Sequence, residues 1–151
     1  QVGRSYGARN AAAFKLALHR TTVLAAVAAL ILAATIMLIG EVLVAALTDL
    51  DDVNLASMAL LHICAVYVIA SFPAFQLDGL FIGASRVKEM RNASFVSVLV
   101  FLVAVGMLTE TYALAGLWWA MVVFVIARAI SLSIYVPRLW EHFAQDGEVT
   151  V

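Results

Sequence analysis

Charge is scarce in this sequence. Of 151 residues, 13% are Asp, Glu, Lys or Arg and 65% are apolar, against about 25% charged and about 45–50% apolar in soluble domains. So few polar side chains cannot coat a small domain, in which surface dominates volume. An ordinary water-soluble enzyme is thereby excluded. Cysteine is nearly absent: Cys64 stands alone, so it forms no internal disulfide and says little about redox compartment. Two prolines and eight glycines argue against a disordered or fibrous chain. The net charge of −1 points to no nucleic-acid partner. Also missing are a Ser-His-Asp set, a Walker loop, and a His/Cys/acidic group at metal-ligand spacing, so neither enzyme chemistry nor a bound cofactor is expected. The chain opens Gln1-Val2-Gly3-Arg4, with no initiator methionine and no signal segment. The simplest reading is a fragment whose N-terminal part lies upstream; the alternative is a trimmed stretch.

What the sequence has instead is four long uncharged runs. Thr21 to Gly40 is 20 residues, Val53 to Leu77 is 25, Asn92 to Thr109 is 18, and Thr111 to Pro137 is 27 with Arg128 as its one interruption. At about 1.5 Å of helix rise per residue, roughly 20 residues cross a hydrocarbon layer about 30 Å thick. No run shows the alternating polarity of a barrel strand. The expectation is an all-α integral membrane protein with four transmembrane helices, near residues 14–47, 54–84, 92–110 and 114–137, followed by a tail over 138–151. The separators Asp49–Asp52, Ser85–Asn92 and Thr109-Glu110-Thr111 are short, so successive helices should be antiparallel neighbours.

Lysine and arginine fall on one side. Arg4, Arg9, Lys15, Arg20, Arg86, Lys88, Arg91 and Arg138 share one end of the helices, and the other end carries Asp49, Asp51, Asp52 and Glu110. By the positive-inside rule both termini are expected in the cytoplasm, with the chain integral to a bacterial-type plasma (inner) membrane. Tyr112, Trp118 and Trp119 fall at the outer interface, and Tyr135 and Trp140 at the inner one, the depths that amphipathic rings favour.

A few residues stand out inside the runs. Arg128 lies about 15 Å from Arg138 by helix rise, where an arginine costs about 2.5–3.5 kcal/mol on insertion scales. It serves either a substrate or ion path, or a structural pair that fixes helix register. Asp78 lies about 12 Å from Arg86 on a helix running the same way, so the two depths match and a contact between Asp78 and Arg128 is expected. Pro73 removes the hydrogen bond to the Ile69 carbonyl and should kink the second span, as a hinge or as a static bend, with Ser71 and Gln76 placed to satisfy freed backbone groups. Gly79 and Gly83 form a G-x-x-x-G step that permits close backbone approach, and Ala25, Ala29 and Ala33 form a similar seam. His62 reads as a hydrogen-bonded packing residue.

The stretch Phe75-Gln76-Leu77-Asp78-Gly79-Leu80-Phe81-Ile82-Gly83-Ala84-Ser85-Arg86, continued by Glu89-Met90-Arg91-Asn92-Ala93, resembles a signature of MATE exporters, the multidrug and toxic compound extrusion family, in its DinF-like branch. Gly116-Leu117-Trp118-Trp119-Ala120 with Ala127-Arg128 is similar to that branch's last helix, and Gln1 to Asn10 to the end of its eighth helix. The resemblance implies helices nine to twelve of a twelve-helix, two-lobe transporter. Such a protein is an antiporter that expels amphipathic, often cationic xenobiotics on inward H+ or Na+ flow. It also implies that the upstream helices of the same transporter are partners. The branch's coupling carboxylate belongs to the first helix, outside this chain. The acidic residue that some sodium-coupled relatives carry midway along helix ten has no counterpart in Ala70-Ser71-Phe72-Pro73. The coupling-ion site is therefore expected elsewhere. Asp78, Arg128 and Gln76 are the candidate polar groups of the cavity or lobe core, and Pro73, Gly79 and Gly83 shape the helix. Two other readings remain: a lipid-precursor flippase of related architecture, whose cavity should be richer in basic residues, and a stand-alone four-helix membrane scaffold.

Overall fold

A computed structural model describes residues 2–144, the side chains of His142 and Ala144 excepted. The elements are α1 (Val2–Gly7), α2 (Ala11–Leu47), α3 (Asp51–Gly83), α4 (Val87–Ser133) and α5 (Val136–Ala144), with no strand among the described residues. At about 1.5 Å per residue α2 and α3 are each roughly 50 Å long or more, ample to cross a bilayer and project from it. The expected tail is helical as far as Ala144; residues 145–151 lie outside the described residues.

Helix α4 is 47 residues long and folds back on itself. Its one departure from helical geometry is Ala113, at φ 49° and ψ −123°. Across that point residue numbers pair antiparallel. Gly116 abuts the Leu108 carbonyl, Phe101 and Phe124 rings stand 5.8 Å apart, and Arg128 reaches Ser94. Residues 87–112 and 114–133 are thus two arms of a hairpin and supply the third and fourth rods. The reversal falls beyond Thr109-Glu110-Thr111, which is still helical: the Thr109 hydroxyl donates to Val105 O.

Local chemistry sets the other ends. Asn10 caps α2, its Oδ1 accepting from Ala13 N at 2.9 Å. Asp51 and Asp52 occupy the first turn of α3, where carboxylates complement the helix dipole. Helix α3 ends in a Schellman turn: Arg86 N donates to Phe81 O and Ser85 N to Ile82 O, with Ser85 left-handed at φ 58°. Helix α1 ends the same way through Arg9, at φ 51°.

The packed core sits at the basic end. Tyr6, Phe14, Leu80, Phe81, Ala84, Ala93, Leu132 and Leu139 form one buried cluster. Phe14, fully buried, has ring centroids of Trp140 and Phe143 at 5.3 and 5.1 Å. Leu139, Trp140 and Phe143 share one face of α5, at i, i+1 and i+4, and dock that helix into the cluster. Along the apolar stretches the buried residues are mainly small, among them Ala33, Gly40, Ala65, Ala74, Ser97, Gly116 and Ala120. Large ones such as Leu24, Leu38 and Phe95 are exposed. Lipid tails are as apolar as leucine, so helices meet through small residues while large apolar side chains face outward.

Candidate functional site

Gln76 and Asp78 are two residues apart, about 200° around a helix, and so leave α3 on nearly opposite faces. Gln76 turns to α2: its Nε2 donates to Thr21 Oγ1 at 2.8 Å and Thr22 Oγ1 at 3.2 Å. Both threonine hydroxyls in turn donate to the Leu18 carbonyl. Asp78 turns to α4 and receives Arg128 as a fork, Nε to Oδ2 at 2.9 Å and Nη2 to Oδ1 at 2.8 Å. The third guanidinium nitrogen, Nη1, donates to Ser94 Oγ at 2.6 Å, and Ser94 donates to Met90 O. The two side chains retain only 16% and 15% exposure. A bidentate pair with a further acceptor is the arrangement that compensates an arginine placed among apolar side chains.

These contacts form one polar layer across the bundle, Thr21 and Thr22 on α2, Gln76 and Asp78 on α3, and Ser94 and Arg128 on the two arms of α4. The layer lies nearer the basic boundary than the count from Arg138 implies. Ser94 is three residues past Arg91, about 5 Å of rise, and Thr21 follows Arg20 directly. The contact with Ser94 is the better gauge, because Arg138 lies beyond α4 on α5, so the count from it overstates depth.

The other expected residues divide. Gly83 packs on α1: a Cβ on Gly3 would stand 2.5 Å from Gly83 O, and one on Gly83 3.2 Å from Gly3 N. Gly79 is exposed and a Cβ there would meet nothing, so the G-x-x-x-G step closes at one glycine only. Helix α3 runs through Pro73. Ser71 donates to Val68 O and Gln76 is committed to α2, so neither serves the Ile69 carbonyl. His62 is exposed rather than packed. Above Gln76 an open groove of about 540 Å³ runs between α2 and α3, past Ala25, Ala29, Tyr67, Ser71 and Phe75.

A second polar hub escaped sequence reading. Arg86, in the turn between α3 and α4, donates to Tyr6 Oη at 3.4 Å, to Glu89 Oε1 at 3.0 Å and to the Arg138 carbonyl at 3.4 Å, joining α1, α4 and α5. The Tyr6 hydroxyl and the Glu89 carboxylate raise the Arg86 guanidinium above its usual value. Burial pushes the Glu89 carboxyl up, but hydrogen bonds from its own backbone amide and from Arg86 outweigh this and hold it below the ordinary value. Arginine-to-carbonyl and arginine-to-tyrosine contacts between distant segments leave no spacing signal. Among the described residues no group of three His, Cys, Asp or Glu is placed to hold a metal ion.

Residues 1–108 match the family model MatE. The chain is also 30% identical over 141 residues to DNA damage-inducible protein F of Escherichia coli (strain K12), an alignment covering 93% of this chain and 30% of that protein. The chain thus spans about 30% of the length of the curated relative it matches. No solved structure gives a significant match. With the family match over well more than half its length and three helices long and apolar enough to cross a membrane, the last folded into two arms, the chain is an integral membrane protein and belongs to the MatE family.

Proposed function

We propose that this chain forms the last four helices of a secondary active exporter of amphipathic or cationic compounds, driven by H+ or Na+ entry through alternating access, with its basic end in the cytoplasm of a bacterial-type inner membrane. The observation that carries the reading is the MatE match over residues 1–108. The geometry supports a division of labour. The Asp78–Arg128–Ser94 contacts tie α3 to both arms of α4, so these rods move as one body, which rocking between two access states requires. Gln76 borders the groove between α2 and α3, so it is the polar residue of the three best placed to meet a substrate, and the salt bridge belongs to the lobe core. Pro73 lies beside that groove, where a bend would alter its width. Coupling then reduces to ion and substrate binding the two states with different affinity.

The test is efflux of a fluorescent amphipathic cation from proteoliposomes that contain the chain together with its upstream helices, under imposed H+ or Na+ gradients. Gradient-dependent efflux is the expected result, and the gradient that drives it identifies the ion. Residues 1–151 alone should give none. Ion-driven efflux by this segment alone, or none from the longer protein under either gradient, refutes the proposal.

A further inference from the structure

Two guanidinium groups at the basic end take no part in the polar layer. Arg4 on α1 and Arg20 on α2 are both exposed and rim a cavity of about 420 Å³ whose lining includes Asn10, Ala13, Leu16 and Ala17. No residue lining it is acidic, and neither arginine has an ion pair among the described residues. Asn10 commits its Oδ1 to the α2 cap, which leaves its amide hydrogens as donors. Two cations and an amide donor without a negative charge suit phosphate oxygens and repel an amine.

A second groove, of about 360 Å³, begins at His19 and the same Arg20 and follows α2 past Val23, Leu24 and Val27. These three are 49%, 70% and 46% exposed. Residues 20, 23, 24 and 27 fall on one helix face, and seven residues rise about 10 Å. The anion pocket therefore opens, at the start of the apolar run, onto an apolar trough leading into the hydrocarbon. A soluble phosphate ester would leave the trough empty. A zwitterionic lipid would press its own cation against two guanidiniums.

We propose that this corner binds an anionic phospholipid of the surrounding bilayer, its phosphate between Arg4 and Arg20 and an acyl chain along Val23, Leu24 and Val27. Basic pockets of membrane helices at the membrane surface hold anionic headgroups by the same chemistry. Because the pocket spans α1 and α2, a bound lipid clamps the two helices together. This inference needs the chain to span a membrane with the Arg4–Arg20 corner facing lipid; it does not depend on what is transported.

The experiment follows thermal unfolding of the full chain in detergent as dioleoyl phosphatidylglycerol is added. A rise of about 5 to 10 °C is expected at roughly 100 times the dissociation constant, with little change from dioleoyl phosphatidylcholine or inorganic phosphate. Arg4→Gln and Arg20→Gln should each weaken the response about 10-fold. Lys88→Gln, which removes one charge from the same end outside the pocket, should leave it intact. Leu24→Asn keeps both cations and should weaken binding of the dioleoyl lipid but not of its dihexanoyl analogue, so the trough is tested even where the arginine variants fold poorly. Equal shifts from the two lipids, an undiminished response in the double arginine variant, or the full shift from phosphate alone would each overturn the proposal, the last by showing an anion site that takes no lipid.

Discussion

Arg128 sets a cation among apolar side chains, and three acceptors meet it: both Asp78 oxygens and Ser94 Oγ. Removing either charge leaves the other stranded, while replacing both by apolar residues of similar size removes the problem. Asp78→Asn and Arg128→Gln should each cost about 2–4 kcal/mol of stability, reduced from soluble values because the unfolded chain in a membrane also finds partners. The double variant Asp78→Asn/Arg128→Gln should cost clearly less than the sum of the two, and Asp78→Leu/Arg128→Met should recover most of the loss. Additive effects in the thermal-unfolding cycle of the Asn and Gln variants would remove the pair's energetic role. Glu89 gives a pH signature at the basic end. Its folded-state carboxyl titrates below the ordinary carboxylate value, so its contribution is fully present above the unfolded value and is lost as pH falls through the folded one. The fall in unfolding temperature on acidification from pH 6 should be shallower in Glu89→Gln than in the parent chain.

At the scale of elements, the turn inside α4 carries the clearest local conflict. Ala113 holds φ 49° and ψ −123°, the first corner of a type II′ turn, which glycine adopts without steric penalty. Ala113→Gly should therefore stabilise the hairpin by about 1 kcal/mol, read as a higher unfolding temperature. A lower one would mean the reversal lies elsewhere. Ser85 and Arg9 hold left-handed positions that close α3 and α1. In none of these three places does a glycine announce the turn, which is why hydropathy located the breaks only to within a few residues. Hydroxyl groups were equally silent. Thr35 and Ser133 bond carbonyls of their own helices four residues back, as serine and threonine in such helices commonly do, so nothing in the sequence distinguished Ser94, Thr21 and Thr22, which reach across to other helices.

For the whole molecule, the aromatic cluster gathers Tyr6, Phe14, Trp140 and Phe143 from both ends of the described chain. It sits where water and headgroups make burial of a ring worth about 1.5–3 kcal/mol. Deeper along the rods, lipid and protein are equally apolar and contacts between helices contribute less. One end of the bundle is thus knit tightly, and the other half is left to lipid or to further helices. Cysteines introduced at Asp51 and Lys88 should react with a membrane-impermeant thiol reagent from opposite sides. Labelling from the same side would refute the four-pass arrangement.

The all-helical class, the long apolar rods and the clustering of basic residues at one end were readable from the chain, because hydropathy and charge act locally against a slab of known thickness; the expected fourth run to residue 137 instead breaks after Ser133. The meeting of Asp78 with Arg128 was readable too, because opposite charges inside apolar runs of two helices that run the same way compensate each other by pairing, although the count from Arg138 overstated their depth. Rotation about each helix axis was not, because a rod that is apolar all round does not mark which face it packs. Only tertiary structure decided that Gln76 faces α2 while Asp78 faces α4, that Gly83 touches Gly3 while Gly79 lies open, and that Arg86 ties three segments together. Each of these depends on how one helix is turned against another, and depth alone carries no information about that angle.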